Sequence, residues 1–191
     1  MPLTKIKSLG ITDGAIVAED IASGAITAAK LAANVGGKVL QVVSAAKTDT
    51  FSTTGATFVD ITDLSVSITP SSTSSKIMII SSIMASASSV SATIMTRLMR
   101  GATAIGIGDA SGSRTRVTWG TDNYTGSNLN ISISLTFLDS PSTTSATTYK
   151  VQLAETRASG DTAFINRDGA DSSDVQVPRG ISTITVMEIV G

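Results

Sequence analysis

Cysteine and histidine are both missing from this 191-residue chain. Without cysteine there is no disulfide and no thiolate metal site. Without histidine the commonest general base and the commonest metal ligand are lost together, and Ser-His-Asp or Cys-His catalysis is impossible. Aromatic residues are scarce, with one Trp, two Tyr and four Phe. Charged residues make up 15%, well under the roughly 25% of an average soluble domain. The net charge of −1 advertises neither nucleic-acid binding nor attraction to an anionic membrane. No stretch approaches the ~20 apolar residues of a membrane span. Residues 1–10 lack the apolar core of a signal peptide, so secretion by the general route is not expected.

What fills the chain instead is Ser and Thr, 55 residues together, beside a 41% hydrophobic fraction and a mean hydropathy of +0.27. Such a chain is apolar enough to fold yet too poor in charge for an ordinary enzyme surface. Subunit interfaces are depleted in charge, so this composition points to a surface that faces other copies. The length suits one domain plus an appendage.

The appendage is legible near the start. Ile6, Ile11, Ile16, Ile21, Ile26 and Leu31 recur every five residues. Gly14-Ala15-Ile16-Val17-Ala18-Glu19-Asp20-Ile21 aligns with Gly24-Ala25-Ile26-Thr27-Ala28-Ala29-Lys30-Leu31. A period of five fits neither a continuous strand nor a helix. It fits a succession of short turns and single helical steps, reset at each Gly. One copy buries almost nothing, so its Ile residues need neighbouring chains or a docking surface. Gly36-Gly37 ends the segment as a hinge, giving an N-terminal unit of 1–37 and a body of 38–191.

The body reads as β. Val39–Val43 is a short apolar strand, and Leu64, Val66 and Ile68 alternate with polar residues up to Pro70. Lys76–Ile80 carries apolar residues on both faces and is expected to lie between two layers. Residues 88–100 fit either period, and the Ser/Thr context favours strand. Gly101–Gly112 reads as a loop with a brief pairing near Ile105, and Arg114–Trp119 as a short strand. Leu129–Phe137 is the clearest alternation. Tyr149–Leu153 and Ile181–Ile189 follow. Eight to ten strands at this spacing predict an all-β antiparallel sandwich of the jelly-roll kind.

Candidate chemistry is sparse. The acidic pairs Glu19/Asp20 and Asp60/Asp63 sit in polar, turn-like contexts and are expected to be solvated rather than catalytic. Asp168, Asp171 and Asp174 around Gly169 supply oxygen ligands, but not at EF-hand spacing, so an acidic loop is expected rather than a metal site. Gly106–Gly112 lacks the strand–helix setting and the Lys-Ser/Thr pair of a phosphate loop. Arg97, Arg100, Arg114 and Arg116 fit a basic patch or a set of ion pairs, and ion pairs are expected. Trp119, Asn123, Tyr124 and Asn128 gather around Gly120–Gly126. An aromatic face beside amides suits a sugar ring; the same Trp equally suits a cap on the end of the core. No catalytic residue, metal or cofactor is expected.

The repeat units resemble short repeats of bacteriophage tail-fibre proteins, in Asp13-Gly14-Ala15-Ile16 and in Ser23-Gly24-Ala25-Ile26-Thr27-Ala28-Ala29-Lys30-Leu31-Ala32. The body is similar to C-terminal domains of phages of aquatic bacteria in five stretches: Lys38–Ser44, Thr50–Thr53, Ser67–Ser72, Lys76–Ile79 and Ser182–Ile189. The likeness covers nearly the whole chain, in motifs of low complexity. It implies a non-enzymatic homotrimer, assembled into a virion in the bacterial cytoplasm. Its N-terminal segment would dock to other virion proteins through Ile6, Ile11, Ile16, Ile21, Ile26 and Leu31. Its head, similar to the complement C1q/tumour-necrosis-factor jelly roll, would contact host surface carbohydrate, with no part for nucleic acid or membrane insertion. With only about three repeat units and no shaft, a tail fibre and a capsid decoration or head fibre both remain open.

Overall fold

The computed structural model describes residues 16–27, 39–121, 129–156 and 160–191. The chain divides into two units, Met1–Lys38 and Val39–Gly191. In the first, the described part is a chain of tight turns. Ala18–Asp20 forms one 3-10 turn. The Asp20 carboxylate accepts the Val17 N–H at 3.1 Å, and Ala25 N–H closes back on Ala22 at 2.9 Å. This is the turn-by-turn path expected of a five-residue period.

Among the described residues the second unit has eleven strands: β1 (Val39–Lys47), β2 (Phe51–Thr53), β3 (Val59–Ile68), β4 (Lys76–Ala87), β5 (Ile94–Arg100), β6 (Thr103–Ile105), β7 (Trp119–Gly120), β8 (Ile131–Asp139), β9 (Thr147–Glu155), β10 (Ala163–Ile165) and β11 (Ser182–Ile189). All pairings are antiparallel. One sheet runs β1-β11-β4-β10-β2 with β8 on the far side of β4; the other runs β3-β9-β5-β6 with β7 also on β5. Set aside β2, β7 and β10, and eight strands remain. In chain order the first pairs the eighth (β1 with β11), the second the seventh (β3 with β9), the third the sixth (β4 with β8) and the fourth the fifth (β5 with β6). That nested pairing is a long hairpin rolled into two sheets, the jelly-roll order. The all-β sandwich expected from the alternation is the fold observed.

Period-two alternation places the core. Leu64, Val66 and Ile68 from one sheet meet Ile77, Ile79, Ile83, Ile133, Ile184 and Val186 from the other, all buried. Three polar knots sit at the margins of the sheets. At one, Asp139 of β8 accepts from Tyr149 of β9 at 2.7 Å and from Arg100 of β5 at 3.0 Å. At the second, Glu188 of β11 accepts from Ser71 N–H and Oγ–H, from Ser75 Oγ–H and from Gln41 of β1, all within 2.7 Å. At the third, the buried amide of Asn166 donates to Lys47 O at 2.8 Å and Asp49 O at 2.9 Å and accepts from Ser182 Oγ at 2.7 Å.

Several local expectations change. Lys76–Ile80 is not buried on both sides: Ile77 and Ile79 are covered, but Ile80 is 43% exposed on the outer face. Of the expected 114–119 strand only Trp119 pairs, within β7, while Arg114 to Thr118 is held by single bonds such as Thr118 N–H to Thr96 O. Asp60 lies within β3 rather than in a turn, while Asp63 adopts a left-handed φ of 63° where the β3 register shifts. The three-residue strands β2 and β10 were not expected.

Candidate contact sites

Four sets of residues proposed from sequence can be placed, in whole or in part. Of the five-residue ladder, Ile16, Ile21 and Ile26 are 56%, 40% and 54% exposed in the single chain; Ile6, Ile11 and Leu31 lie outside the described residues. An aliphatic side chain this exposed leaves much of its burial energy unrealised in the single chain.

Of the aromatic–amide group, only Trp119 is described; Asn123, Tyr124 and Asn128 fall outside the described residues. Alternation along β7 sends Trp119 and Gly120 to opposite faces. The indole is half-buried against the core cluster, in the manner of a cap. Gly120 faces the other way, onto Met95, and borders a cleft of about 490 Å³. Besides Gly120, the cleft is lined by the apolar Met95 and Val117, by Thr93, Thr115, Thr121 and Thr156, and by Arg114. Its hydroxyls and the Arg114 guanidinium can exchange hydrogen bonds with a neutral or weakly anionic hydroxylated ligand. Among the described residues that line it there is no carboxylate. This threonine cleft was not anticipated; the Thr93, Thr121 and Thr156 that form it lie far apart in sequence.

The four arginines part company. Arg100 makes the expected ion pair, to Asp139. Arg97 lies 3.8 Å over the Phe58 ring and donates to Arg116 O at 2.9 Å, while Arg116 donates to Gly108 O at 2.6 Å. These guanidiniums brace loops instead of forming a patch. In the acidic loop, Asp171 pairs with Arg167 at 2.9 Å and with Arg179, and Asp168 accepts the Asp171 N–H at 2.7 Å. Among the described residues no three acidic side chains converge on a metal position.

Two carboxylates are strongly shaped by their surroundings. Burial pushes the Glu188 carboxyl up, but the hydrogen bonds from Ser71, Ser75 and Gln41 outweigh it and hold the group down to about 2. Burial likewise opposes ionisation of Asp60, yet Lys150 at 2.6 Å and Gln152 keep it below the usual carboxylate range. Both are ordered by structural partners, and neither faces the threonine cleft.

No family model matches the chain, and no curated protein matches it. Among solved structures, it is similar to that of infectious bursal disease virus Gt strain, at 14% identity and a TM-score of 0.42, covering 79% of this chain and 38% of that one. It is also similar to the VP2 subviral particle of infectious bursal disease virus, at 12% identity and a TM-score of 0.42, covering 78% and 41%. The chain thus spans well under half the length of either. A likeness of this extent assigns no role.

Proposed function

We propose that this chain is a structural protein of a bacteriophage virion, a homotrimeric tail fibre that docks by its N-terminal segment and presents its jelly-roll head to the host surface. The observation that carries this reading is the exposure of Ile16, Ile21 and Ile26 at five-residue spacing. A segment that repeats an aliphatic side chain and leaves it uncovered is built to be covered by something else. The resemblance of these repeats to tail-fibre repeats names the partner class: sister chains and other virion proteins. Composition adds to it, since a chain with 15% charge suits close packing among copies. The role is adhesion and assembly, not catalysis. At the head, the threonine cleft and the neighbouring Trp119–Asn128 loop are the surfaces offered to host carbohydrate, three weak sites acting together through avidity.

A second reading is a capsid decoration or head-fibre protein, in which the same exposed Ile16, Ile21 and Ile26 dock to the shell. One experiment addresses both. Particles assembled with the triple variant Ile16→Asp, Ile21→Asp, Ile26→Asp are expected to lose the protein by about ten-fold, because buried carboxylates at a docking surface are strongly penalised. Quantifying copies on wild-type particles separates the sites: a few or tens per particle means tail, hundreds means capsid. Incorporation of the triple variant at the wild-type copy number overturns the docking role.

A further inference from the structure

The outer faces of the two sheets differ in kind. On the β3-β9-β5 sheet the outward row is Asp60–Gln152–Arg97, with Lys150 bonded to Asp60 at 2.6 Å. That is a face made for water. On the β1-β11-β4-β8 sheet the register aligns Val42, Met187, Met78 and Leu138 into one row across four strands. Val42 is 56% exposed and Leu138 49%. The next row is Ser44, Thr185, Ile80 and Thr136, and the one after it Ala46, Thr183, Ser82 and Ser134. The acidic and basic side chains of these strands turn inward, as Lys47, Glu188 and Asp139 do, all buried. Lys76 alone remains at the corner, bonded to Ser140.

We propose that this uncharged outer face is an interface between copies of this chain, a proposal that rests on the assembly reading above and locates one of its contacts. A charged partner would lose hydration here without finding a counter-charge. A glycan would find no aromatic ring to stack on, since Phe137 points inward to the core. A second neutral surface of aliphatic and hydroxyl side chains meets neither penalty, and this sheet is itself such a surface. Size adds a constraint. Four strands about 4.8 Å apart, over some four outward rows, give roughly 500 Å² in plan, against about 800 Å² per partner in a standard interface. The contact therefore takes the whole face and continues over an edge. β8 supplies that edge: it pairs only with β4 among the described residues, and its nine residues include no Pro and no Lys, the devices that normally block edge pairing.

The test uses the full chain. Wild type is expected to sediment as an oligomer. Ile80→Glu with Leu138→Glu is expected to weaken self-association by about ten-fold or more, since each carboxylate would be buried unpaired. Ser67→Glu, exposed on the opposite sheet, is expected to leave it unchanged. The chain has no cysteine, so a single Thr136→Cys is a clean probe: a short bismaleimide should join Thr136→Cys copies and not Ser67→Cys copies. If the glutamate variants lose their β circular dichroism, the Thr136→Cys result decides. An oligomer unaffected by the glutamates, with no Thr136→Cys cross-link, overturns this interface and leaves the assembly reading standing. A wild-type monomer throughout the micromolar range overturns both.

Discussion

Asn166 does with one side chain what the short strands cannot do alone. It follows β10 with a left-handed φ of 62°, a conformation Asn tolerates better than most residues. From there its amide bridges the end of β1 and the start of β11, while its N–H reaches Met84 O at 2.9 Å. Asn166→Ala would remove the donor to the Lys47 and Asp49 carbonyls and the acceptor for the Ser182 hydroxyl, and put Ala in an unfavourable region. We expect a loss of about 3 kcal/mol in chemical denaturation. Asn166→Gly, which frees the backbone but not the carbonyls, should recover about 1 kcal/mol of that. Equal stability of wild type and the Ala variant would remove the amide from its bridging role. Little of this was legible beforehand. The partners lie 117 and 119 residues away, and nothing around an isolated Asn marks which strand ends will come to it. Trp119 shows the opposite limit: the sequence offered two readings, and the direction of one side chain on β7 decides how its ring lies.

At the scale of elements, alternation was a dependable guide and short pairings were not. β3, β8, β9 and β11 stood out because each alternates over eight to ten residues. β2 and β10 have three residues each, too few for any period to register. β4 misled for a different reason. A run of Ile and Met looks two-sided, yet the alternation of β4 turns Ile80 to the outer face, where it is 43% exposed. The β6 turn exposes a tighter constraint. Gly106 has φ +57°, and a Cβ there would sit 2.9 Å from Phe137 Cδ2 on β8. Gly101 has the same φ with open space around it. Gly101→Ala should therefore cost about 1 kcal/mol, the backbone penalty alone. Gly106→Ala should cost about 2–3 kcal/mol, since ring displacement is added. Thermal melts of the two variants measure the difference, and equal costs would mean that the Phe137 contact yields freely.

For the whole molecule, the missing residue types set the response to pH. With no histidine and no cysteine, no side chain of ordinary pKa titrates between the carboxylates and the alkaline groups. Folding stability should accordingly be flat around neutrality and fall only in acid. The largest resolved acid shift among the described carboxylates is that of Glu188, which joins β11, β1 and the Ser71–Ser75 turn. Its folded pKa is held near 2 against an ordinary 4.5. A depressed folded pKa stabilises fully above the unfolded value, so this contribution is complete above pH 4.5 and is lost as pH falls toward 2. Asp60 and Asp49 move in the same direction, but they are more exposed and matter less. Glu188→Gln keeps the shape and removes the charge, so it should cost about 1.5 kcal/mol near neutral pH, as for a lost charge-assisted bond. The gap between wild type and this variant should then close as the pH is lowered through 4.5 toward 2. Denaturant titrations at several pH values follow that gap. A difference that stays constant across the acid range would show that Glu188 acts through packing rather than through its charge.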